Sequence, residues 1–181
     1  ERSRRQHKTR RLMIHDSDVY KIGSLGKPRG VKGEITFNFT DDVWDRTDSQ
    51  YLICRIDGIL VPFMLDEYRF RGEFSALLKF SGIETVEEVR ELTGCEVFFE
   101  HSLTPAEREE EEYTWRYFTG FKVVDHLAGE LGEVDAVDDS TQNVLFRVGE
   151  LLIPAVEEFI QDIDHRQRIL KVALPEGLLE L

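Results

Sequence analysis

The segment Glu34–Phe39 reads EITFNF and sets Ile35, Phe37 and Phe39 on one side of an extended backbone, with Glu34, Thr36 and Asn38 on the other. That is the period of a strand with one face buried. Apolar segments of this short length recur along the chain, and the helical signals between them cover only a few residues, so the chain is directed to a mainly β fold. Tyr51–Ile56 and 59–65 flank Asp57-Gly58, a dipeptide suited to a tight turn with positive backbone angles. Arg71-Gly72 separates the second of these strands from 74–80, and 95–99 supplies a further one. Thr85-Val86-Glu87-Glu88 has the spacing of a capping box, Val86, Val89 and Leu92 follow at helical spacing, and Gly94 supplies the stop.

A second group of short strands is expected over 121–124, 131–137, 144–148, Leu151–Pro154 and 169–174, with turn residues between them. Between the groups, Thr104-Pro105-Ala106-Glu107 is another capping box with proline at the first helical position. It opens onto four consecutive glutamates, Glu109 to Glu112, and like charges at Glu107 and Glu111 discourage a long helix. The fold class is therefore mainly β: two small β-barrels joined by an acidic linker, with one or two short helices. The boundaries are a basic head without fixed structure over 1–17, an N-terminal barrel over 18–101, a linker over 102–112 and a second barrel over 113–181.

Charge narrows the partners. Residues 1–15 hold six arginines or lysines against Glu1 alone, a net +5, and the whole chain is at −13, which leaves the remainder at −18. Such a body repels nucleic-acid phosphates outside local sites, favours a cationic partner, and by self-repulsion favours a monomer. The head is read either as an RNA-binding arm or as an extension upstream of the folded protein. No apolar run approaches the roughly 18 residues that span a bilayer, and the first fifteen residues are too polar for a signal peptide, so no membrane is expected and the protein is placed in the cytoplasm. Cys54 and Cys95 sit in strand-like apolar settings and read as buried free thiols, not as a disulfide or zinc pair.

A search for chemistry returns little. His7, His15, His101, His126 and His165 are scattered, none at metal-ligand spacing from another, and the turn histidines read as solvated. No Ser, Cys or Thr lies in a nucleophile-elbow context, and paired carboxylates carry no signal in a chain with 36 acids. A non-enzymatic protein without cofactor or metal is expected. The one glycine-rich basic stretch, 23–33, reads GSLGKPRGVKG and interleaves Lys27, Arg29 and Lys32 with Gly23, Gly26, Gly30 and Gly33. It is not a Walker loop. It serves either as a barrel hairpin with solvated cations, or as a local RNA-backbone site built from exposed amides and three positive charges.

These residues also resemble a known family. Residues 21–35, KIGSLGKPRGVKGEI, look like the opening of the ribosome maturation factor RimM family: Gly30, Gly33, Glu34 and the pair Thr40-Asp41 match, with Arg29 in place of the usual histidine. Residues 82–97, 113–120, 129–134, 143–148 and the closing PEGLL at 175–179 continue the likeness in order, so that it covers about 18–181. The resemblance implies a translation-factor-like barrel followed by a PRC-barrel, no catalytic residues, and a role in assembling the small ribosomal subunit. It further implies binding to a basic ribosomal protein of the subunit head, small-subunit protein nineteen, and help in maturing the head rRNA.

The same resemblance gives meaning to the sequence EEEEYTWRYFTGF at 109–121. The family's paired tyrosines at the domain junction are implicated in ribosome binding and fall on Tyr113 and Thr114 here. The expected ribosomal-protein site is Tyr113, Trp115 and Phe118 with Glu111 and Glu112: Tyr113 and Trp115, with Phe118 and Phe121 partly buried, form the edge of a docking surface whose rings give contact area and whose acids steer a basic partner. A simpler role for the rings, packing the barrels, stands beside it. The expected rRNA contacts are Lys27, Arg29, Gly30, Lys32 and Gly33. Rival readings are an accessory subunit of an electron-transfer complex, where similar barrels occur, and an RNA-modifying enzyme.

Overall fold

The computed structural model describes residues 13–109 and 113–180. The chain divides into two compact units, residues 1–103 and 104–181. In the first, six antiparallel strands close into a barrel: β1 (Val19–Arg29), β2 (Glu34–Phe39), β3 (Tyr51–Ile56), β4 (Ile59–Gly72), β5 (Ser75–Phe80) and β6 (Glu96–Glu100), in the order β1-β2-β5-β4-β3-β6. The alternation that identified β2 points Ile35, Phe37 and Phe39 into the core. Asp57 and Gly58 both have positive φ, 48° and 78°, as the β3–β4 turn requires. The turn expected at Arg71-Gly72 falls two residues later, because β4 continues through Gly72, which pairs with Ser75 across the hairpin.

Two short helices among the described residues, α1 (Val43–Arg46) and α2 (Val86–Arg90), add Val43, Trp44 and Val89 to the barrel core. At the start of α1, Asp41 is buried and its carboxylate accepts a hydrogen bond from the Val43 amide at 3.0 Å. The helix thereby delivers Trp44 into a cage formed by Phe37, Phe39, Tyr68 and Phe70, with ring centres 4.7–5.7 Å away. At α2, Thr85 accepts the Glu88 amide, as the capping box anticipated. Most of the glycine-rich stretch lies within β1 itself, and only residues 30–33 form the β1–β2 turn. Gly23 is fixed by packing: a Cβ there would stand 2.2 Å from the Asn38 carbonyl oxygen on β2.

The second unit comprises β7 (Lys122–Asp125), β8 (Gly129–Glu133), β9 (Ala136–Asp138), β10 (Leu145–Val148), β11 (Leu151–Pro154), β12 (Ile160–Asp164) and β13 (Ile169–Val172). They form a three-stranded sheet, β11-β10-β9, and a four-stranded sheet, β12-β13-β7-β8, around a shared core. The single strand expected over 131–137 is two strands, one in each sheet, with buried Val134 between them. β12 was not anticipated. Asp125 ties loops to this core: its buried carboxylate accepts the amides of Leu127, Ala128 and Leu174 at 2.9–3.0 Å.

Of the 1–17 head, residues 1–12 lie outside the described residues, while Asp16–Asp18 forms a 3-10 turn and Asp16 pairs with Arg55 at 2.6 Å. The second capping box starts no helix through residue 109. The Thr104 carbonyl, which a helix beginning there would use internally, accepts instead from Arg166 Nε at 3.1 Å. Among the described residues no helix is long and apolar enough to cross a membrane.

Candidate functional site

The acid–aromatic junction folds as a 3-10 turn, Trp115–Phe118, after Thr114. Three residues per turn place side chains three apart on one face, and the rings of Trp115 and Phe118 accordingly lie 5.9 Å apart, each within 5.8 Å of Phe146. Tyr113 packs on Tyr117 at 4.9 Å and on Phe118 at 5.6 Å. Phe118 and Phe121, expected to be partly buried, are only 1% and 0% exposed. Both belong to the core of the second unit, while Arg116 on the same turn stays exposed and pairs with Asp139. Tyr113 and Trp115 stay at the boundary, half-buried.

A cleft of about 500 Å³ opens at that boundary. One wall is Tyr113, Thr114 and Trp115 with Phe118 behind them; the other is Ile160 and Ile163 from β12, with Glu157 at the rim. Of the residues named from the sequence, Tyr113, Trp115 and Phe118 line this one cleft. Glu111 and Glu112 lie outside the described residues, and Glu109 is exposed. The opposite wall was missed because β12 was missed. Its signal was the run EEFIQDID at 157–164, apolar residues set among four acids with no base. The unit as a whole carries eighteen acids and seven arginines or lysines, a net −11 over 104–181.

Behind the aromatics lies a buried polar cluster. His165, expected to be a solvated turn histidine, is 5% exposed, and its Nδ1 is 2.9 Å from the Tyr117 hydroxyl. Arg108 and Arg168 sit over the Tyr117 ring at 4.5 and 4.7 Å. Burial, then the charges of the two arginines, lower the His165 pKa below its ordinary value. In the same 165–168 turn Arg168, itself buried and at φ 62°, lays its guanidinium over the Phe121 ring at 4.1 Å.

The second candidate site is in the first unit. The β1–β2 turn projects exposed Val31 and Lys32 between Gly30 and Gly33, both at positive φ, 65° and 84°. Lys27 and Arg29 are exposed on the strand leading into it. Gly33 is packed, because a Cβ would meet the Ile83 carbonyl oxygen at 2.6 Å, whereas Gly30 faces open space. The turn therefore carries Lys32 at its exposed tip, with Lys27 and Arg29 behind it on β1, while its base packs against Ile83. Cys54 is a free, fully buried thiol, pushed up to about 12 first by burial, and Cys95 is free and partly buried. Among the described residues no group of three or more His, Cys, Asp or Glu is placed to hold a metal ion.

A closed β-barrel followed by a two-sheet unit, with a contact cleft and a basic hairpin as its candidate sites, defines a two-domain β protein of the barrel-plus-PRC-barrel class. Residues 20–104 match the family described as RimM N-terminal domain, and residues 115–178 the one described as RimM PRC barrel domain. The chain belongs to the RimM family. It is 51% identical over 172 residues to the ribosome maturation factor RimM of Phocaeicola vulgatus, covering 92% of this chain and 100% of that one. It is 49% identical over 176 residues to the ribosome maturation factor RimM of Bacteroides thetaiotaomicron, covering 93% and 97%. A solved structure of the 16S ribosomal RNA processing protein RimM from Pseudomonas aeruginosa aligns with a TM-score of 0.44 at 24% identity, covering 87% of this chain and 98% of that one.

Proposed function

We propose that this protein is a non-catalytic assembly factor of the small ribosomal subunit that holds a basic protein of the subunit head while the head rRNA matures. The family resemblance supplies the partner, small-subunit protein nineteen. The observation that carries the reading is the cleft walled by Tyr113, Trp115 and Ile160, set in a unit of net −11. Half-buried aromatics in a concave site provide contact area at small entropic cost, and the acidic surround attracts a cationic protein over about a Debye length. Glu111 and Glu112, which precede Tyr113 in sequence, are counted in that net charge.

The Gly30–Gly33 turn takes the complementary task. Exposed Lys27, Arg29 and Lys32 stand on a body that, beyond the basic 1–15 segment, is at −18, which supports a short contact with the rRNA backbone in place of a broad RNA-binding face. Release follows when rRNA phosphates compete for the cationic partner. Co-sedimentation with purified precursor and mature small subunits tests the role: enrichment on the precursor is expected, and equal or absent association with both would overturn it.

A further inference from the structure

β12 is the outermost strand of its sheet: Ile160–Asp164 pairs with β13 on one side, and among the described residues no backbone group pairs with its other side. The same strand supplies Ile160 and Ile163 to the cleft. An open edge beside an apolar cleft is the arrangement that accepts an added strand, main-chain bonds giving affinity and alternate side chains giving selectivity. The edge is also guarded. Glu157, Glu158, Asp162 and Asp164 fall within eight residues without a base, Lys171 reaching Asp162 only at 4.0 Å, and β12 carries a bulge between Ile160 and Asp162. Like charges directly opposite one another destabilise a strand pair, so a second copy of this edge is repelled, whereas alternating cations are attracted.

We propose that β12 and the cleft take an extended cationic peptide segment, which pairs main chain to main chain with Ile160–Asp164 and seats one bulky apolar side chain against Trp115 and Phe118. This rests on the reading that a basic protein docks at the acid–aromatic junction, and adds the form in which it does so. Lysines or arginines flanking the apolar anchor project to the face opposite the cleft, the side of Asp162, which alternates with Ile163.

The test uses the full chain and a synthetic heptapeptide, acetylated and amidated, alternating lysine with valine and carrying phenylalanine at its centre. Two analogues are N-methylated, one on the odd amides and one on the even amides, and a third replaces lysine by glutamate. Backbone amide shifts are followed by NMR. Saturable shifts at Ile160–Asp164 and at the Trp115 indole are expected, with about a tenfold or greater loss for one methylated analogue only, since just one edge of the peptide faces β12. The glutamate peptide should not bind, and Asp162→Lys, at an exposed position, should weaken the lysine peptide several-fold. Equal binding by both methylated analogues, or shifts confined to other strands, would overturn the pairing; so would self-association of the chain through these residues. Should the peptide fail while intact protein nineteen binds in a Tyr113- and Trp115-dependent way, the edge pairing falls and the partner stands. Peptide binding without protein nineteen binding leaves the edge site and removes the named partner, and failure of both removes both.

Discussion

The Tyr117 hydroxyl and His165 Nδ1 meet at 2.9 Å inside the second unit, beneath the cleft that Tyr113 and Trp115 line. The pair links the aromatic turn to the 165–168 turn, and the Tyr117 carbonyl accepts from the Arg168 guanidinium at 3.3 Å as well. Removing the hydroxyl leaves a buried ring nitrogen without that partner. Tyr117→Phe is expected to destabilise the protein by about 1–3 kcal/mol in urea unfolding, with the fold retained.

His165 also fixes a pH dependence. Its folded pKa is lowered, first by burial and then by Arg108 and Arg168, so the unfolded chain binds the proton more readily. Its contribution is therefore intact above the ordinary value near 6.5 and is lost as pH falls from there through the lower folded value. Stability should decline over that window, and His165→Gln should flatten the decline; an unchanged slope in the variant would contradict it.

Asp125 acts at lower pH. Burial alone would raise its carboxyl, but the amides of Ala128, Leu174 and Leu127 outweigh this and hold it at about 2. Its stabilisation is present above the unfolded value near 3.8 and is lost as pH falls toward 2. Asp125→Ala strands three amides and should cost about 3 kcal/mol or more, and Asp125→Asn less, because an amide oxygen still accepts.

The barrel has its own test. Gly23→Ala drives a methyl group to within 2.2 Å of the Asn38 carbonyl oxygen, so β1 and β2 must separate. A loss of about 1–3 kcal/mol is expected, against a smaller one for Gly30→Ala, where the space is open and only the positive φ opposes.

If the hairpin touches RNA phosphates, Lys27→Ala, Arg29→Ala and Lys32→Ala together should weaken RNA binding evenly across sequences. The slope of log affinity against log salt should fall by about two to three. Circular dichroism should show an unchanged fold, since all three side chains are exposed.

What could be read from the residues follows their periodicity. β2 was legible because Ile35, Phe37 and Phe39 alternate without interruption, and the β3–β4 turn because Asp57-Gly58 tolerates positive φ. β12 was not, since its bulge places Ile160 and Ile163 three apart and breaks the period of two. That strand supplies Ile160 and Ile163 to the cleft, so the sequence named aromatics on one side of it and no residue on the other. Depth was also hidden: only the 3-10 turn shows that Phe118 points inward while Tyr113 and Trp115 remain at the rim. His165 was hidden for a different reason, as its burial depends on Tyr117, 48 residues away.

Calorimetric titration of small-subunit protein nineteen into the wild type and into a Tyr113→Ala/Trp115→Ala variant of verified fold bears most directly on the docking role. Saturable binding to the wild type that weakens with salt and is lost in the variant is expected. Absence of binding to the wild type would contradict the partner, and equal binding by both would return these aromatics to a packing role alone.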